Sequence, residues 1–123
     1  MITRLSLYKH GVWAACLIGA AIGTGAAAFA EPLGVAPEPA RRVELVRLVR
    51  HDCGSCHGLT LKGGLGPALT REALAGKAPD GLRATILHGR SGTPMPPWRD
   101  FLTENEVNWL VEILTQGRLD AER

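Results

Sequence analysis

Cys53-Gly54-Ser55-Cys56-His57 is the stretch on which the reading of this 123-residue chain turns. Two cysteines three positions apart, followed directly by a histidine, suit four kinds of chemistry: a dithiol redox pair, a zinc site, a plain disulfide, or covalent attachment of haem. A dithiol pair needs a βαβ context, and no run in this chain alternates polar and apolar as a half-buried strand would. Zinc needs four ligands at sensible spacing, and after His57 only His88 remains as a distant candidate. A disulfide makes no use of His57. Haem attachment uses all three residues. Thiols on one turn reach the two vinyl groups along one haem edge, and the histidine after the second cysteine lies under the iron as proximal ligand.

Working outward toward the N-terminus, Arg4 and Lys9 open a basic stretch, followed by Val12-Trp13-Ala14-Ala15-Cys16-Leu17-Ile18 and small residues ending Ala28-Phe29-Ala30. A positive start, an apolar middle and an A-x-A ending predict a secretory signal peptide over 1–30. Glu31, directly after the expected cut, is the first acidic residue of the chain. An uncut membrane anchor is the alternative, since residues 11–30 are long enough to span a bilayer. Cys16 reads as leader filler, because Trp13 is bulky where a lipobox wants an aliphatic residue and the apolar run continues past it. The leader holds two of the 14 basic residues and none of the 12 acidic ones, so the rest is balanced and nucleic acid is not an expected partner. Export also places the two remaining cysteines in an oxidising compartment.

Residues 31–39 are rich in proline and small residues and read as an arm, with a domain expected over 40–118 and a polar tail over 119–123. From Arg41 to about Arg50, Val43, Val46 and Val49 with Leu45 and Leu48 make an apolar stripe opposite arginines. Residues 58–68 hold four glycines and a proline and are expected to be loop. Thr70 is a candidate N-cap for a short helix through Ala75, with Gly76 as its stop. A further helix is expected from Pro79-Asp80 to His88, ended by Gly89. Residues 89–98, with three prolines, cannot be regular structure. In the last helix, Thr103 and Glu106 form a capping box, and Val107, Leu110, Val111 and Leu114 repeat at helical spacing. The chain therefore reads as all-α, three or four short helices and long loops wrapped around one covalent haem c. Loops in that proportion are unusual in a self-sufficient domain and suit a fold built round a cofactor.

The iron's second axial ligand must come from downstream. Met95 is the only methionine after the leader and sits in the rigid setting Gly92-Thr93-Pro94-Met95-Pro96. A thioether raises the reduction potential relative to two imidazoles, as an electron carrier needs. His88 is the competing ligand, and His51 lies too close to the attachment turn to cross to the other haem face. A ligating histidine normally donates its other N–H to a carbonyl, and Pro67, ten residues after His57, is the natural source. Leu59, Leu69, Leu74, Ile86 and Leu87 are candidates for the haem wall. Trp98, Arg90 and Arg99 are candidates for a haem propionate.

From the first helix through Cys53-x-x-Cys56-His57, Gly66-Pro67 and Met95-Pro96 to the last helix, the chain resembles class I cytochromes c. That fold implies crossing first and last helices, with Val43 and Val46 near Val107, Leu110 and Trp109. Leu61-Lys62-Gly63-Gly64-Leu65-Gly66-Pro67, Ile86-Leu87-His88-Gly89-Arg90 and Pro94-Met95-Pro96-Pro97-Trp98 are similar to the small NirC-type cytochromes of denitrification operons. The resemblance implies a periplasmic protein passing electrons to a cytochrome cd-type nitrite reductase, or serving maturation of its d-type haem. A ligand-sensing haem is a third class, requiring an open sixth position. No nucleophile–base pair or paired carboxylates point to an enzyme. Residues 59–99 carry six basic residues against Glu72 and Asp80, while 100–123 carry six acidic against two basic. The basic segment either steers an acidic redox partner to the haem edge or is an ordinary solvated surface.

Overall fold

The computed structural model describes residues 34–122, so the expected leader and Cys16 lie outside the described residues. Within them the chain forms α1 (Pro39–Leu48), α2 (Gly54–His57), α3 (Arg71–Leu74), α4 (Pro79–His88) and α5 (Glu104–Thr115). No strand occurs among the described residues, and none of their helices is long and apolar enough to cross a membrane.

α1 begins at Pro39, one residue inside the expected arm. Proline suits a first helical position, where its missing N–H would have no partner in any case. α1 and α2 form a single rod, joined by a widened π-helical turn over Val49–Cys53. The capping box of α5 is formed as expected, with the Glu106 N–H donating to Thr103 Oγ1 and the Glu106 carboxylate accepting from the Thr103 N–H. Thr70 caps α3 in the same manner, accepting from the Ala73 N–H.

The core is one cluster built from Leu45, Val46 and Val49 of the first rod, Val107, Leu110, Val111, Ile113 and Leu114 of α5, and Leu61, Leu74 and Leu102 from the segments between. Val43 departs from the expected stripe and is 37% exposed, while Leu45 is fully buried. The buried face runs from Val49 back through Leu45 and Val46 toward Arg41 and Arg42 at helical spacing, which leaves Val43 to one side. Arg41 continues that face as an ion, its Nε donating to Glu106 Oε1 at 2.5 Å and its Nη1 to Glu44 at 2.9 Å. The N-termini of α1 and α5 are thereby tied together.

Two further ties carry no sequence signal. Asn105 is buried, accepts from the Gly34 N–H at 3.2 Å and donates to the Val35 carbonyl at 2.6 Å, so the end of the arm is pinned to α5. The stretch 119–123, expected as a polar tail, instead coils into a 3₁₀ turn over Leu119–Glu122 with Leu119 buried in the core. An Arg50–Asp120 ion pair joins this turn to the π-helical turn of the first rod.

Candidate functional site

Cys53 closes the π-helical turn, and Cys56 and His57 lie on α2. Both thiols are free and partly covered. Burial pushes the Cys53 thiol up to about 11, with the Asp52 charge adding to the effect. A redox dithiol needs an attacking thiol with a lowered pKa, so this environment opposes the dithiol reading.

His57 is buried, and its Nδ1 lies 2.6 Å from the Pro67 carbonyl, the partner expected from the sequence. The loop after α2 folds back over the helix end to make this contact. The Gly66 N–H donates to the Cys56 carbonyl at 2.8 Å, and the Gly63 N–H to the His57 carbonyl at 2.9 Å. The terminal carbonyls of the short helix are thus satisfied by the same loop that delivers Pro67. Leu61 anchors this loop, buried and held at φ 57, a conformation few non-glycine residues adopt. Gly66 lies flat against the imidazole, where a Cβ would stand 2.7 Å from His57 Cε1 and 2.8 Å from Nδ1.

Met95 is half-buried in the loop after α4. No residue of α4 is fully buried. Leu82, Ile86 and Leu87 of this helix, with Leu69 and Trp98, pack against the core while remaining partly open. Leu59 is 70% exposed, and among the proposed wall residues only Leu74 is fully part of the core. His88 and His51 are both exposed.

The donor set fits a haem. Two free thiols lie on adjoining turns, one imidazole has Nδ1 tied to a carbonyl and Nε2 left for iron, and partly covered apolar side chains offer surface to a large flat ring. Among the described residues there is no group of three or more His, Cys, Asp or Glu able to hold a metal ion by itself.

A family model described as cytochrome C oxidase, cbb3-type, subunit III matches residues 41–113, which run from α1 to α5. Cytochrome c55X of Pseudomonas aeruginosa is 48% identical over 115 residues, 90% of this chain and 89% of its own. A solved structure of the c-type cytochrome NirC is 53% identical with a TM-score of 0.66, covering 68% of this chain and 98% of that one. Dihydro-heme d1 dehydrogenase of Pseudomonas aeruginosa is 38% identical over 101 residues, 82% of this chain but only 19% of the larger protein. A carrier family of this kind performs no substrate chemistry of its own. The chain belongs to the c-type cytochromes, with the all-α class I fold and a covalently bound haem c, in the group that includes cytochrome c55X and NirC.

Proposed function

We propose that Cys53 and Cys56 hold the haem through thioether bonds, that His57 and Met95 are its axial ligands, and that the protein carries single electrons in the periplasm within the nitrite reductase system of denitrification. The observation that carries the site assignment is the 2.6 Å contact from His57 Nδ1 to the Pro67 carbonyl, which fixes the ring and leaves Nε2 for iron. When bound, the haem supplies a reversible one-electron couple whose potential a thioether ligand raises. The work of the chain is to close both axial positions, hold the ligands rigid and exclude small ligands. A closed site of this kind favours electron carriage over sensing. The expected leader over residues 1–30, removed after export, supports the periplasmic placement.

The ligand assignment is tested in the oxidised protein by its far-red charge-transfer band. The band is expected to survive His88→Ala and to vanish in Met95→Ala; the opposite pattern would exchange the two residues.

For the partner, similarity to NirC supports delivery of electrons to a cytochrome cd-type nitrite reductase. The 38% identity to part of a dihydro-heme d1 dehydrogenase favours a second reading, as electron acceptor in d-type haem maturation. Stopped-flow mixing separates the two. Reduced protein is expected to be oxidised rapidly by the reductase. If the protein instead reacts only when oxidised, and only with the dehydrogenase and its dihydro-haem substrate, the maturation role holds.

A further inference from the structure

The loop that carries Met95 is seated on the C-terminal end of α4. A helix leaves its last carbonyls without partners of its own. Here the Ile86 carbonyl accepts from the Trp98 N–H at 3.0 Å, and the Leu87 carbonyl from the Arg99 N–H at 3.3 Å. Between these anchor points the loop closes on itself. The Arg90 N–H donates to the Met95 carbonyl at 3.1 Å, and the Arg90 carbonyl accepts from the Thr93 hydroxyl at 2.7 Å. The Met95 N–H in turn donates to Thr93 Oγ1 at 3.4 Å. Both backbone polar groups of Met95 are therefore held within its own loop, and Pro94, Pro96 and Pro97 lock the backbone around it.

Gly89 stands where helix and loop meet. Its φ of 71° with ψ of −169° lies in a region open essentially to glycine alone. A Cβ there would lie 2.7 Å from the Met95 carbonyl oxygen and 2.8 Å from both the Pro96 carbonyl carbon and the Pro97 nitrogen. These are backbone atoms of a proline-locked loop, and they cannot swing aside as the tip of a side chain would. This approach exceeds what ending a helix requires. Gly76, which follows α3 with φ of 75°, has nothing within 4 Å of the position its Cβ would take.

We infer that Gly89 is a positioning residue for the sixth iron ligand: by letting the end of α4 press against the backbone of residues 95–97, it sets where the Met95 thioether is presented. The inference rests on Met95 as that ligand. A side chain at position 89 drives the loop away from α4 and opens the sixth position, while the core of α1 and α5 stays intact.

The test compares holoproteins carrying Gly89→Ala, Gly76→Ala and Met95→Ala with the parent protein. The readouts are the far-red band when oxidised, carbon monoxide uptake when reduced, and the reduction potential. Gly89→Ala is expected to lose the band, to take up carbon monoxide that the parent refuses, and to fall in potential toward Met95→Ala. Gly76→Ala is expected to keep all three properties and to change thermal stability alone. A Gly89→Ala protein with the band intact, beside a Met95→Ala protein that has lost it, overturns the inference and leaves the ligand assignment standing. A band that persists in Met95→Ala overturns the ligand assignment instead. Equal losses in Gly76→Ala and Gly89→Ala also overturn the inference, because the effect would then belong to backbone strain in general. Amide hydrogen exchange in the parent holoprotein needs no variant: slow exchange is expected at Arg90, Trp98 and Arg99, and free exchange there overturns the seating itself.

Discussion

Gly66→Ala is expected to lose most of its covalently attached haem, although the backbone at this position is one that alanine accepts. Gly66 is not among the residues with positive φ, so the effect is one of contact alone. The added methyl carbon would stand 2.7 Å from His57 Cε1, well inside van der Waals contact. The ring cannot retreat while Nδ1 keeps its 2.6 Å contact with the Pro67 carbonyl. Either the ring turns and breaks that contact, or the loop lifts from the end of α2 and takes the Gly66 N–H away from the Cys56 carbonyl. Disturbing the partner that orients a ligand costs about 10–100-fold in metal affinity. Because the thioethers form on a haem whose iron is already held by His57, the yield of holoprotein over apoprotein, read by intact mass, is expected to fall steeply. Gly81→Ala is the comparison, since nothing lies within 4 Å of a Cβ there. It should retain its haem and gain up to about 1 kcal/mol of helix stability in α4. Full haem loading in Gly66→Ala would remove the steric account of this glycine.

Glu106→Ala is expected to be the most damaging single change at the surface of the helical core. One carboxylate oxygen accepts from Arg41 Nε at 2.5 Å, and the other accepts from the Thr103 N–H at 2.7 Å. The substitution removes the carboxylate half of the capping box of α5 and the tie to α1 together, leaving Arg41 only Glu44, while Thr103 Oγ1 still accepts from the backbone N–H of residue 106. The exposed Thr103 N–H loses a bond worth about 0.5–1 kcal/mol, and the bond to the Arg41 cation is worth about 1.5–3 kcal/mol. Each kcal/mol is worth roughly 4–8 °C of melting temperature in a domain of this size, and thermal denaturation of the holoprotein reads the sum. The same contacts give a pH dependence. Burial pushes the Glu106 carboxyl up, but hydrogen bonds from Arg41 and the Thr103 N–H, with the Arg41 charge, outweigh it and hold the group below the ordinary glutamate value. A carboxyl depressed by folding contributes stability that is fully present above its unfolded pKa and is lost as pH falls through the folded one. The difference in stability between parent and Glu106→Ala should therefore be constant near neutrality and shrink below about pH 4.3. A difference that did not change with acid would show that the carboxylate charge contributes nothing.

Much of this molecule is legible in local sequence because its signals are local. Thr103 and Glu106 announce a helix start through groups three residues apart, and His57 and Pro67 are joined by a loop too short to lead elsewhere. The parts that escaped are those with distant partners or no periodicity. Asn105 looks like an ordinary polar residue in the first turn of a helix, and its role depends on Gly34 and Val35, some seventy residues away. Leu119 is a lone apolar residue among charges, and only the packed structure shows that it completes the core. Val43 belonged to the apolar stripe by composition, but Arg41 and Glu106 decide which face of α1 turns inward. Gly89 was readable as a helix stop, whereas its contact with the Met95 loop required coordinates.

The widened turn over Val49–Cys53 acts as a phase shifter along a single rod. Val46 and His57 are eleven positions apart, close to three turns at about 3.6 residues each. In an unbroken α-helix the imidazole would therefore stack above Val46 on the stripe already committed to the core. A π-helical turn takes up one more residue than an α-turn, which amounts to roughly 100° of rotation. One continuous helix can thereby turn two different faces to two different tasks, packing upstream of the turn and attachment downstream of it. The register between the tasks is stored in the chain length of five residues, and is therefore sensitive to insertion and deletion there.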